Sequence, residues 1–323
     1  MSSSDDSTDA TQGSETAPPP PHQKTHSSPS GATRRRPWDV VQNGGVAPRP
    51  KAGPDREQYA GIPSIERALN QFEQQFCAGH AKSLSGIAMR SFLIGIVFTI
   101  STSLALYLFF ASSTIFWRAP CFVSSLAIFH FLEFWTTARY NTPEATISSF
   151  LLTGNGSAYN IAHSAAIAEF LITNTFFPDG SPYTVFGRQV PPSISSFPPG
   201  TQNFILLLGL LLMLLGQTVR SVAMIQAGRS FNHIVQFTRL RSHELVTTGL
   251  YSFLRHPSYF GFFWWGLGTQ MVLGNLYCFA AYAFVLWMFF NRRIEGEEAL
   301  LVKFFGEEYE EYRARSWVGI PFI

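Results

Sequence analysis

Long apolar blocks separated by short polar connections dominate the chain from Phe92 onward. A helix needs about 20 largely apolar residues to cross a hydrocarbon core of about 30 Å. Four segments meet that: Phe92 to Ala111, Pro120 to Thr137, Ala158 to Phe176 and Phe204 to Met224. Two further apolar runs, Ser258 to Leu273 and Leu276 to Phe290, are parted only by Gly274-Asn275, a dipeptide that reverses the chain at little steric cost. They read as a helical hairpin whose short arms tilt, or let Asn291 and Arg292 reach the interface. The pattern predicts an all-α membrane protein with about six transmembrane helices, the last two forming a C-terminal hairpin. Ahead of them, the mixed stretch Ile65 to His80 predicts an amphipathic lead-in helix.

Polarity divides the chain into three regions. Residues 1–63 are rich in Ser, Thr, Pro, Gln and Gly, with Pro18 to Pro21 and the run Arg34-Arg35-Arg36. Such a segment has too little apolar surface to offset its ordering entropy and predicts a disordered cytosolic leader. Its arginines read as a solvated charge cluster, with a lipid-headgroup contact as the sharper alternative. No apolar run follows a basic start, so no cleavable signal peptide is expected. Residues 64–228 hold the lead-in and the first four spans, and residues 229–323 hold the hairpin and most of the remaining polar residues.

Composition removes several function classes. A net charge of +2 gives no support for nucleic-acid binding. Cys77, Cys121 and Cys278 lie too far apart for a CxxC zinc site or a disulfide framework and read as inert core residues. Among the apolar blocks stand Arg90, His130, Glu133, His163, Glu169 and Arg220, each a site candidate because charge in a membrane is costly. Interhelical hydrogen bonding is at least as good a reading for His130, Glu133 and Glu169, which stay unassigned. Gly209 and Gly216, like Gly261 and Gly268, are seven residues apart and predict helix faces that pack closely.

Two polar blocks flank the hairpin and suggest one composite site. The first runs through Asn232 to Gln236, His243 to Tyr251, and Arg255 to Tyr259. Pro257 suits a helix start, and the free amides after it favour an anion. The second begins at Arg292; Arg293 and Glu297 are four apart and share a helix face. Taken as charges alone, this block also fits a plain salt-bridged helix exit.

The segments "SFNHIVQ", "HELVTTGLY", "RHPSYFGFFWWGLGTQ", "RRIEGEEALL", "FFGEEYEEY" and "GIPFI" make residues 230–323 resemble the isoprenylcysteine carboxyl methyltransferase family, and "FHFLEF", "SSFLLTGN" and "ITNTFFP" extend the resemblance more loosely upstream. That resemblance implies S-adenosylmethionine (SAM) bound in a cytosolic pocket without a Rossmann glycine loop, and this chain has no GxGxxG. It further implies cofactor contacts from Gln236, His243, Glu244, Leu245, Val246, Tyr251, His256, Pro257, Ser258, Tyr259 and Glu297, with Arg293 as the catalytic group that holds the substrate carboxylate. The implied substrates are prenylated CaaX-type proteins such as small GTPases, methylated on the terminal carboxylate at the endoplasmic reticulum membrane. No metal is implied. A membrane sterol or isoprenoid reductase using NADPH shares a similar RHP block and is the nearest rival; a non-enzymatic membrane scaffold is the rival from another class.

Overall fold

The computed structural model describes residues 63–152, 156–177, 201–239 and 243–323; the leader, with Pro18 to Pro21 and Arg34 to Arg36, lies outside them. The described residues form eight α-helices: α1 Pro63–Gln74, α2 Leu84–Phe110, α3 Arg118–Tyr140, α4 Gly156–Phe176, α5 Thr201–Ala227, α6 Pro257–Leu273, α7 Tyr277–Phe305 and α8 Glu307–Arg315. Short 3₁₀ turns join several of them, and no strand occurs among the described residues beyond an isolated bridge between Leu254 and Trp317.

Each apolar run read from the sequence lies on one of α2 to α7. By length and composition, three stretches suffice to cross a membrane: Leu84–Phe110, Ile115–Tyr140 and Asn203–Ser230. The other three helices fall short of that measure for visible reasons. α4 carries Asn160, His163 and Glu169, α6 has only 17 residues, and the apolar part of α7 ends at Arg292 and Arg293. The lead-in helix stops at Gln74 rather than at His80, and turns containing Gly79 at φ +89° carry the chain to Ser83, whose hydroxyl caps α2 by accepting the Gly86 N–H. Cys77 sits in those turns and is exposed, while Cys121 and Cys278 are half-buried, which corrects the expectation of core thiols.

Close backbone approach sets the packing of α5 on α6. A Cβ on Gly216 would stand 2.6 Å from the Gly261 carbonyl oxygen, and one on Gly268 would stand 2.8 Å from that of Gly209. Only glycine lets the two helices meet this closely, as small residues do throughout membrane bundles. Around this seam Phe129 of α3 stacks on Trp265 of α6 with ring centroids 4.8 Å apart. The hairpin turns at Gly274, whose φ of +80° is a left-handed helix end that glycine adopts without strain. Glu169 of α4 then accepts the N–H groups of Leu276, Tyr277 and Cys278 at 2.7 to 2.9 Å. A carboxylate thereby satisfies the orphan amides at the start of α7, which is structural glue.

Candidate active site

At the other end of the hairpin, α6 begins with Pro257 at its first position and no side-chain cap. α7 runs on unbroken to Phe305, so Arg293 and Glu297 occupy successive turns of one helix. Arg293 Nε donates to the Tyr259 hydroxyl (2.8 Å), which donates in turn to Glu297 Oε2 (2.5 Å). Arg293 Nη2 donates to the His233 carbonyl at 2.6 Å, and its guanidinium lies 5.5 Å from the centre of the Tyr259 ring. A guanidinium, a phenol and a carboxylate from both polar blocks thus form one hydrogen-bonded chain.

Beside this chain opens a cleft made of two cavities. The larger, about 130 Å³, is lined by Glu244, Leu245, Val246, Tyr251, His256, Pro257, Ser258, Tyr259 and Glu297 among others. The smaller, about 90 Å³, adds Gln236 and His243 with Leu300 and Phe304. Ser230, Asn232, Glu244, Glu297, Leu301 and Phe305 line both, so the cavities are halves of one space. Every residue that the resemblance implies for the cofactor therefore stands in its wall. Arg293 lines neither half; it stands behind Tyr259, one turn of α7 before Glu297.

Local bonds hold the loop wall in place. Ser230 Oγ accepts the Glu244 N–H (3.1 Å) and donates to the Glu244 carbonyl (3.0 Å). Gln226 Oε1 accepts the Leu250 N–H at 2.8 Å, and its amide comes so near Gly249 that a Cβ there would collide with it. The Tyr312 hydroxyl donates to the Tyr251 carbonyl at 2.7 Å, tying α8 to the same wall. Burial pushes the Tyr312 phenol up to about 12, against a lowering hydrogen bond with Ser316, and burial also raises that of Tyr251. Both therefore remain protonated donors near neutral pH.

Two carboxylate hubs at this end carry roles that sequence reasoning did not assign. Glu298 accepts from Arg255 Nε (2.5 Å) and His256 Nε2 (3.2 Å) and pairs ionically with Arg313 Nε (3.2 Å), while the His256 ring stacks on Tyr259. Glu133, singled out only as an intramembrane charge, makes two hydrogen bonds with Arg220 and one with His233 Nε2 at 2.9 Å. Arg220 Nη1 also donates to Ser258 Oγ at 3.1 Å. Opposite charges inside apolar blocks are a sequence signal for such a pair, since an unpaired one is costly. Glu298 gives no comparable signal, because several acidic residues surround it. His130, likewise left unassigned, meets the Phe150 carbonyl through Nδ1 (2.7 Å) and the Tyr159 hydroxyl through Nε2 (3.2 Å), a helix-to-helix tie.

Residues 207–303 match the model of the isoprenylcysteine carboxyl methyltransferase (ICMT) family. The chain is 41% identical over 240 residues to a protein-S-isoprenylcysteine O-methyltransferase of Saccharomyces cerevisiae, covering 74% of this chain and 92% of the relative. Its identity to the Homo sapiens protein of that name is 37% over 238 residues, covering 73% and 75%. A solved structure of the eukaryotic intramembrane Ras methyltransferase ICMT superposes with a TM-score of 0.63 at 32% identity, over 80% of this chain and 84% of that one. The likeness spans the membrane helices as well as the cleft, and the chain belongs to the isoprenylcysteine carboxyl methyltransferase family.

Proposed function

We propose that this protein transfers a methyl group from SAM to the C-terminal carboxylate of prenylated cysteine in CaaX-processed proteins. The observation that carries this reading is the Arg293–Tyr259–Glu297 chain, set at the edge of a cleft built from both polar blocks. The wall chemistry suits the donor. Glu244 and Glu297 offer acceptors for an ammonium group or ribose hydroxyls, and Leu245, Val246, Leu301 and Phe305 offer apolar surface for a flat base. SAM supplies an electrophilic methyl group on a sulfonium centre.

The chain's own residues do the rest. A terminal carboxylate has a reference pKa near 3.5 and is ionised at neutral pH, so no general base is needed to make the nucleophile. Arg293 orients that anion with a planar, permanently charged fork already held by Tyr259 and His233. Among the described residues nothing engages its Nη1, which leaves a donor for a substrate oxygen. The arginine positions more than it neutralises, because clamping both oxygens would stabilise the ground state. Good alignment of nucleophile and methyl group contributes roughly 7 to 11 kcal/mol.

The membrane supplies the other substrate. Each buried CH₂ of a prenyl tail is worth about 0.8 kcal/mol, so the tail is already partitioned there. It approaches laterally past Phe290, whose ring packs beside Tyr259, and past Phe262, which packs on Phe290. In this reading α2 to α7 are six crossings of the endoplasmic reticulum membrane, the cleft faces the cytosol, and small GTPases are among the substrates. The named relatives favour this reading over a reductase or a scaffold.

Methyl transfer from labelled SAM to a farnesyl-cysteine analogue, in membranes containing only this protein, tests the reading. Arg293→Lys is expected to lower kcat/KM on the order of 100-fold while SAM affinity stays near wild type. Unchanged turnover in that variant removes the role of Arg293, and NADPH-dependent reduction without methyl transfer removes the whole reading.

A further inference from the structure

Arg118 opens α3 at the end of the bundle away from the cleft. α3 has 23 residues and its far end, at Asn141, donates to the Phe231 carbonyl of the cleft wall, which puts Arg118 about 33 Å from there. Its side chain is only 9% exposed, and both Nε and Nη1 are buried with no hydrogen-bond partner among the described residues. The hydroxyl of Thr114, four residues earlier in the chain, is likewise buried without a partner. Other arginines buried in the bundle or at its rim are answered: Arg220 by Glu133 and Arg255 by Glu298.

An unanswered guanidinium is an expensive thing to bury, because it keeps its proton throughout. Its place makes matters worse. The N-terminal end of a helix is the positive end of the dipole, and the first turn of α3 contains no acidic residue. Three aromatic rings cluster near this end of α3. Phe109 packs edge-on against Trp117 at 5.3 Å and against Phe110 at 4.9 Å, and Phe110 is 74% exposed. Trp117 is of a residue type enriched at the headgroup level of a bilayer.

We infer that Arg118 binds the phosphate of a phospholipid headgroup on the membrane face opposite the cleft. A phosphate diester brings the missing negative charge and acceptor oxygens that a guanidinium fork matches. Its acyl chains lie where the exposed faces of α2 and α3 meet lipid. A free phosphate ion shares the headgroup chemistry but not the anchoring, which the test separates.

Thermal unfolding of the full chain in a neutral detergent, stripped of copurified lipid, provides that test. Without lipid, Arg118→Met is expected to unfold about 3 °C or more above wild type, since it removes an uncompensated charge. Saturating phosphatidylglycerol is expected to raise wild type by about 5 °C and to leave Arg118→Met nearly unmoved. Diacylglycerol, which lacks the phosphate, should move neither. An equal lipid response in both proteins overturns the site, as does an Arg118→Met variant less stable than wild type in plain detergent, which would mean that the chain itself answers the charge. Inorganic phosphate matching the lipid at equal concentration overturns the lipid as its source.

Discussion

Two carboxylates flank the first turn of α6, and each gathers an arginine and a histidine. Glu133, wholly buried on α3, takes Arg220 and His233; Glu298, on α7 two turns beyond the apolar arm, takes Arg255 and His256 and adds Arg313. The same three groups do different jobs at the two depths. Arg220 passes from Glu133 to Ser258 Oγ, so the first hub ties α3, α5 and α6 together inside the bundle. The second sits at the rim, where Arg255 also donates to the Ser316 carbonyl and the Arg313 side chain is 47% exposed. Between them they hold His256, Ser258 and Tyr259, and Tyr259 is the middle of the chain that reaches Arg293 and Glu297. The second hub is expected to matter less to stability, because its Arg313 is open to water and its Arg255 keeps the Ser316 carbonyl if Glu298 is lost.

The largest effect expected from this comparison comes from Glu133→Gln, which leaves Arg220 buried without its counter-ion. Unfolding in detergent should register a loss of about 3 to 5 kcal/mol. Pairing Glu133→Leu with Arg220→Met should recover most of it, since neither charge then remains. A double variant as unstable as Glu133→Gln would show that the pair does more than balance charge.

A smaller loss is expected from Glu298→Gln, about 1 to 2 kcal/mol, because its cations keep other partners or water. Equal losses at the two positions would erase the distinction between bundle and rim.

Smallest is the pH effect at the rim. Burial alone would raise the Glu298 carboxyl, but hydrogen bonds from His256 and Arg255 outweigh it and hold the group at about 2, below the ordinary 4.5. A carboxyl depressed in the folded state stabilises fully above its unfolded value and loses that contribution as pH falls toward the folded one. The difference in Tm between wild type and Glu298→Gln should therefore stay level near neutral pH and narrow from about 4.5 toward 2. A difference that stays level down to about pH 3 would place the group's stabilisation elsewhere.

Much of the site was legible residue by residue. The family resemblance implied the residues that line the cleft, and four-residue spacing on a helix put Arg293 and Glu297 on successive turns of one face. Glu298 was missed although it adjoins Glu297, because one residue along an α-helix turns the side chain by about 100° and sends it to a different partner set. The glycine spacing was legible for the same reason that Arg293 and Glu297 were: repeats of three, four or seven residues are helix geometry written along the chain. Cys77 was misjudged because an apolar-looking thiol says nothing about whether a turn will expose it.

What the amino-acid order determined unaided was local. Apolar runs of bilayer length, a Gly-Asn turn and a proline at a helix start specify α2 to α7 and the hairpin without reference to any distant residue. Tertiary structure alone decided which charges meet. Glu133 finds Arg220 and His233 across 87 and 100 residues, and Arg255 finds Glu298 across 43. Such pairings depend on how each helix is rotated and how deep it sits beside its neighbours, quantities that arise only when the seams close.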